Sequence, residues 1–246
     1  ALAWLKQDWS PQIISARLRQ DFPRDRTMRV SAETLYQWIY ADARDGGVLY
    51  QHLWQRHRRR KRQRGRLRRS LIPNRIGIEH RPSGANNRSR YGHWEGDTVE
   101  GRKGTGGLAT HVDRKSRYLL GHRLFDKRAT TFSVATCASF SWIPESLKRS
   151  CTYDNGTENA DHQHIAAKTG MDIYFADPYS PWQRGTNEQT NGLLRRYFPK
   201  GTDFRTVTQE ELDAVIELIN KRPRKCLGYQ APYDVFANAL RGALAI

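Results

Sequence analysis

Three carboxylates stand out from an otherwise basic chain: Asp97, Asp154 and Glu188. Asp97 lies in the run WEGDTV. Asp154 ends an apolar run and opens DNGT. Glu188 follows 34 positions later, in SPWQRGTNEQTN. In a protein of net charge +17, acids in such settings suggest a divalent-metal site that works on a polyanion. Hard cations such as Mg²⁺ take oxygen ligands and are usually held by one or two carboxylates together with substrate phosphates. Two such ions about 4 Å apart can stabilise both the attacking and the leaving oxygen of an in-line phosphoryl displacement. Other acids compete for the role. Glu95 shares the strand parity of Asp97, and Glu158 stands four residues after Asp154 at a helix start. Asp113 reads as a turn former. The histidines form neither HxxxH nor a Cys/His set.

The elements that must position these residues lie between residues 91 and 199, where strands and helices alternate. Residues 94–100, 108–112 and 117–123 read as strands, with Asp113 to Ser116 as a hairpin turn. A helix over 127–142, a buried strand over 150–153, a helix over 158–169 stopped by Gly170 and a strand over 171–175 follow. A Pro- and Gly-rich loop then leads into a helix over 186–197. Arg184, Glu188, Asn191 and Arg195 fall at i, i+4, i+7 and i+11, one column of a helix. That column places a carboxylate among donors suited to phosphates; a solvated face could carry the same residues.

Before this core, residues 1–45 read as helices. Ser10 and Pro11 make one helix start and Ser31 makes another. In the second helix Leu35, Trp38 and Ile39 face inward, which turns Thr34, Gln37 and Glu33 outward. Two short helices around a turn suit a helix-turn-helix, and equally an ordinary helical hairpin. Residues 46–90 read as a basic linker. Within it RHRRRKRQRGRLRR, residues 56–69, holds ten Arg or Lys in fourteen positions, among them Arg58, Arg59, Arg60, Lys61 and Arg62. Such a block repels itself when free, and next to DNA it gives sequence-independent, salt-sensitive affinity. Residues 200–246 read as a helical extension packing on the core. Thr208 and Glu211 form a capping box, and Leu212, Val215, Ile216 and Ile219 give the apolar face. Pro232 opens a last helix through Val235, Phe236 and Leu240.

At 246 residues the chain holds one sizeable core plus a smaller module. Its 42 Lys and Arg against 25 Asp and Glu point to nucleic acid or an anionic surface. No run of about 20 apolar residues exists, so no bilayer-spanning helix is expected. Three scattered cysteines without a CxxC fit a reduced cytosol and argue against a disulfide framework or zinc finger. Ala1 lies inside an apolar, helix-like segment, so the protein is expected to continue upstream.

The segments at 94–98 and 152–156, and above all YFADPYSPWQRGTNEQTNGLLRRYFPK at 174–200, resemble the DDE transposases of the bacterial insertion-sequence thirty family, in the wider group that includes retroviral integrases. The resemblance covers almost the whole chain. It implies an α/β fold: a ribonuclease-H-like catalytic core, with a mixed five-stranded sheet flanked by helices, an N-terminal helix-turn-helix module and a helical C-terminal tail. It implies Asp97, Asp154 and Glu188 as catalytic metal ligands for Mg²⁺, with Mn²⁺ able to substitute. It also implies DNA contacts from Arg184, Asn191, Arg195 and Lys200, besides Thr34, Gln37 and the basic block. The expected reaction is hydrolysis at transposon ends followed by joining of the freed 3′-hydroxyls to target DNA, without a covalent enzyme intermediate. The expected partners are double-stranded DNA and, because two ends are joined, a second copy of the chain or a higher oligomer. The expected place is the bacterial cytoplasm, at the nucleoid. The family usually carries a further helical DNA-binding module upstream, so autonomous recognition of transposon ends is not expected from this segment. The alternatives are a stand-alone ribonuclease-H-like nuclease, a catalytically silent DNA-binding regulator and a basic RNA-binding protein.

Overall fold

The computed structural model describes residues 1–53, 72–178 and 180–244, which fall into two compact units. The first comprises the N-terminal residues together with 222–231. Its helices are α1 (Leu2–Lys6), α2 (Pro11–Asp21) and α3 (Ala32–Arg44). Ser10 and Ser31 cap α2 and α3, accepting from Ile13 N and Thr34 N; each such cap contributes about 1 kcal/mol. Leu5, Ile14, Leu18, Leu35 and Ile39 form the small core. The 222–231 loop joins this unit: Gln20 Nε2 donates to the Gly228 carbonyl (3.1 Å) and Arg17 Nη1 to that of Tyr229 (3.4 Å). The inward position expected for Trp38 is not observed. Its side chain is 41% exposed. Tyr36, on the opposite flank of the Leu35–Ile39 stripe, is the aromatic that packs on the core, donating to Gln12 Oε1. The basic block, with Arg58, Arg59, Arg60, Lys61 and Arg62, lies outside the described residues.

The second unit is built on one five-stranded sheet. In chain order it comprises α4 (Ser83–Asn86), β1 (His93–Glu100), β2 (Gly107–Asp113), β3 (Leu119–Leu124), α5 (Ala129–Phe140), β4 (Ser150–Tyr153), α6 (His162–Thr169), β5 (Asp172–Phe175), α7 (Gly185–Tyr197), α8 (Gln209–Lys221) and α9 (Pro232–Leu244). The strand order is β3-β2-β1-β4-β5. β1, β2 and β3 are antiparallel, while β1, β4 and β5 run parallel. This is the mixed sheet of the ribonuclease-H-like fold, with β1 at its centre.

Strand alternation sends successive side chains to opposite faces. Trp94 enters one core with Phe132, Phe140, Tyr153 and Phe236. Its ring meets Phe140 and Phe236 edge-on, with centroids 5.0 and 5.7 Å away. Val99, Leu108 and Val112 enter the other core, with Leu193, Leu194 and Leu212 from α7 and α8. Each fully buried side chain of this size contributes about 1.5–3 kcal/mol by leaving water. Gly96 is obligatory where β1 passes Tyr153, because a Cβ there would lie 2.1 Å from the Tyr153 ring.

Both sheet edges are covered. Along β3, the Asn220 side-chain amide accepts from Leu119 N (2.8 Å) and donates to Leu119 O (2.9 Å). Gln209 likewise accepts from Arg123 N and donates to the Gly121 carbonyl. Both amides come from α8, whose expected capping box is present: Thr208 N donates to Glu211 Oε2 and Glu211 N to Thr208 Oγ1. At the other edge, Phe175 N donates to the Ile76 carbonyl.

Two sequence expectations change here. Residues 72–90, read as part of a linker, are packed on the sheet: Ile72 and Ala85 are buried, and buried Arg81 donates to Thr152 and Asn86. Arg81 finds neutral acceptors at Asn86 nearby and at Thr152, which is distant in sequence, and so is buried without an ion pair of its own among the described residues. The helix expected from residue 158 begins at His162, after a 3₁₀ turn at Thr157–Asn159. Asn159 turns back instead, donating to the Asp154 carboxylate.

Candidate active site

Asp97 lies in β1 and Asp154 directly follows β4. The two strands pair in parallel up to Glu95↔Thr152. Continued by two residues, that register sets Asp97 opposite Asp154, where the strands separate. Ligands in open α/β sheets gather at such strand ends.

Each carboxylate has one oxygen restrained and one oxygen directed at Arg184. Asp97 Oδ2 accepts from Asn191 Nδ2 (3.0 Å), and Asp97 Oδ1 lies 3.5 Å from Arg184 Nη1. Asp154 Oδ1 accepts from Gly156 N (3.0 Å) and Asn159 Nδ2 (2.9 Å), and Asp154 Oδ2 lies 3.1 Å from Arg184 Nη2. Arg184 Nη1 also donates to the Gly96 carbonyl (3.0 Å). Burial pushes the Asp97 carboxyl above the usual carboxylate range; the Asp154 charge adds to this and the Arg184 guanidinium opposes it.

Neighbouring residues hold α7 against these strands. Asn187 is fully buried, with its backbone N–H donating to Glu95 Oε2 (2.8 Å) and its side-chain amide to the Glu95 carbonyl (2.7 Å). Glu95 forms a buried ion pair with Arg114. It therefore anchors the start of α7, and its shared parity with Asp97 has a structural use. Thr110 Oγ1 donates to Asn191 Oδ1 (3.0 Å), which orients the Asn191 amide toward Asp97. Nothing in the local sequence pattern marks Thr110 or Asn159 as part of the site, and Asn187 lies outside the column of Arg184, Glu188, Asn191 and Arg195. The phasing of Asn187 with Asn191 on one helix was the available signal. Asp113 is the expected turn former, accepting from Ser116 N and Ser116 Oγ. Glu158 accepts from Thr98 Oγ1.

Glu188 is in the first turn of α7, exposed, one turn before Asn191. Among the described residues no three His, Cys, Asp or Glu side chains converge as a metal ion would require. Asp97, Asp154, Arg184 and Asn191 are brought together, whereas the Glu188 carboxylate is not brought to them. Arg195, two turns beyond Glu188, senses Asp97 and Glu100 electrostatically, and burial lowers its pKa. Lys200 is exposed just after α7. Thr34 and Gln37 are exposed on α3 in the other unit. No helix among the described residues is long and apolar enough to cross a membrane.

An integrase core domain model matches residues 87–181. The chain is 43% identical over 242 residues to the transposase for insertion sequence element IS1086 of Cupriavidus metallidurans, covering 96% of this chain and 71% of that protein. It is also 43% identical over 237 residues to transposase InsI for IS30A of Escherichia coli, covering 94% of this chain. It spans 62% of the length of that relative. The catalytic core domain of BIV integrase aligns with a TM-score of 0.47 at 16% identity, over 61% of this chain and 96% of that domain. With identity of this extent over nearly all its length, the chain belongs to the IS30 family of DDE transposases, enzymes of DNA transposition that use divalent metal.

Proposed function

We propose that this chain hydrolyses phosphodiesters at transposon ends and joins the freed 3′-hydroxyls to target DNA, with Asp97, Asp154 and Glu188 holding Mg²⁺, for which Mn²⁺ can substitute. The observation that carries this reading is the convergence of Asp97 Oδ1 and Asp154 Oδ2 on a single cationic group. Two carboxylates from neighbouring parallel strands, each with its second oxygen tied back, form a hard-donor site already shaped around positive charge. The donor set fits a divalent ion of the oxygen-preferring class. Glu188 is the third ligand in this reading, because residues at i and i+3 share a helix face and Asn191 already touches Asp97. When bound, the ion supplies charge neutralisation at the attacking and leaving oxygens.

The chain's own residues supply position. Asn191, Asn159 and the Gly156 amide fix the carboxylate orientations without adding charge. In the first step water attacks phosphorus and the bond to the 3′ oxygen breaks, freeing the 3′-hydroxyl. In the second, that hydroxyl gives up its proton and bonds to phosphorus of a target phosphodiester, whose own bond to the target 3′ oxygen breaks and leaves a target 3′-hydroxyl. No protein nucleophile is consumed, so catalysis rests on orientation and charge. Arg184, Asn191, Arg195 and Lys200 face phosphates in this reading. Thr34 and Gln37 approach base edges, the 56–69 block contributes non-specific affinity, and two or more copies act together on DNA.

The test is a strand-transfer assay with labelled transposon-end duplexes and Mg²⁺. Asp154→Asn should abolish cleavage and joining while leaving DNA binding intact or slightly tighter, because one negative charge near the phosphates is gone. Cleavage at the wild-type rate by Asp154→Asn would sink the assignment. Cleavage by the wild-type protein with no joined product would favour a stand-alone nuclease.

A further inference from the structure

We infer that Arg184 is an exchangeable counter-ion of the Asp97–Asp154 pair, competing with the divalent cation for the same two carboxylate oxygens and drawn off them by a DNA phosphate. The inference rests on the metal site proposed above and adds a rule for when that site fills. Asp97 Oδ1 and Asp154 Oδ2 are the oxygens that face Arg184, at 3.5 and 3.1 Å. Their partner oxygens are already engaged by Asn191, Asn159 and the Gly156 amide. A cation arriving at the two directed oxygens therefore meets the guanidinium.

Arg184 is placed to exchange. Among the described residues, its one hydrogen bond beyond the two aspartates is to the Gly96 carbonyl. It ends the 3₁₀ turn Pro181–Arg184 and immediately precedes α7, so it sits at a joint between elements. Its side chain is 15% exposed. The planar fork that spans two carboxylate oxygens matches a phosphate equally well. Arg195 provides the contrast. It feels Asp97 only through space and makes no ion pair with it.

Linkage makes the consequence reciprocal: if a DNA phosphate takes Arg184, metal binds more tightly, and metal binding in turn strengthens the grip on DNA. The site would load where substrate lies and stay closed by its own arginine elsewhere.

The test measures Mn²⁺ uptake by the full chain from the electron paramagnetic resonance signal of free Mn²⁺, with and without a transposon-end duplex, after subtracting uptake by DNA alone. Duplex should raise the Mn²⁺ affinity of the wild type. Without DNA, Arg184→Gln should bind Mn²⁺ about tenfold more tightly than wild type, and duplex, left only its own phosphate ligands to add, should raise its affinity by a smaller factor than it raises that of the wild type. Arg184→Lys, a point charge unable to span both oxygens, should fall between them and carries the test if the Gln variant fails to fold. Arg195→Gln should stay within about twofold of wild type, as a screened charge would. Equal tightening in Arg184→Gln and Arg195→Gln would reduce the effect to general charge loss and overturn the inference. So would unchanged affinity in both Arg184 variants. If Asp154→Asn takes up as much Mn²⁺ as wild type in every condition, the metal site itself fails, an outcome distinct from loss of the arginine rule alone.

Discussion

Removing the Glu95 carboxylate should loosen α7 from the sheet. Glu95 and Arg114 are both buried, with side chains 0% and 7% exposed. In Glu95→Ala the Arg114 guanidinium keeps its bonds to the Ala85 and Gln183 carbonyls, but no charge opposes it. Asn187 N also loses its acceptor. Breaking a buried pair by deleting one partner costs about 3–5 kcal/mol. The orphaned amide alone would cost about 1–3 kcal/mol, and the two losses overlap because they share one carboxylate. A total of about 3–5 kcal/mol is therefore expected. At roughly 2–4 °C per kcal/mol for a unit of this size, the melting temperature should fall by roughly 6–20 °C. Glu95→Gln keeps an acceptor for Asn187 N and should lose less, about 1.5–3 kcal/mol. A Glu95→Met, Arg114→Met double variant should recover most of the loss, since apolar replacement of a buried pair is often neutral. Circular-dichroism melts and urea titrations of the four proteins give the double-mutant comparison. A Glu95→Ala cost below about 1 kcal/mol, or a double variant no better than the single one, would refute the anchoring role. Glu95→Gln should retain cleavage. Lost cleavage at preserved stability would make Glu95 a ligand rather than an anchor.

Three further outcomes are expected. Gln37→Ala should cost about 1–3 kcal/mol at one base position of the bound site and leave non-specific binding nearly unchanged, as read by binding-site selection. Neutralising several arginines of the 56–69 block should weaken binding to all duplexes by similar factors and flatten log K against log salt in filter binding. His93 is held down to about 4 by burial and by Arg149, Arg114, Arg81 and Arg90, and His111 to about 3 by burial alone. Below its ordinary value of 6.5 each is protonated in the unfolded chain before the folded one. Their stability contribution is therefore full above that value and is lost as pH falls toward about 4 for His93 and about 3 for His111. Melting temperatures in a pH series should show this decline, and His93→Gln should make it shallower.

Much of the site's frame was legible in the sequence because it depends on local pattern. Apolar runs bounded by turn residues marked the strands, and the Asp113 turn and the Thr208 capping box are short-range chemistry. What escaped depends on partners distant in the chain. Nothing near Arg81 announces that Thr152 will accept from it, so a folded segment read as linker. Glu95 and Asp97 share parity, and only the position of Arg114 separates an anchor from a member of the site. Asn159 interrupts a helical pattern because the Asp154 carboxylate lies within its reach. The stripe rule fixes spacing but not which flank of the stripe is covered: the core covers the Tyr36 flank and leaves the opposite one, with Trp38, exposed.

The amide side chains of Asn220 and Gln209 along β3 have a consequence for assembly. A bare edge strand is a template for pairing with another chain. Here α8 offers that edge the donors and acceptors a sixth strand would have brought. Sheet-to-sheet addition through β3 is thereby closed to a second copy. The guard is also a point of failure. Peeling α8 away would bare the apolar face of the sheet and its unsatisfied edge in one event, so partial unfolding at this helix leads toward aggregation.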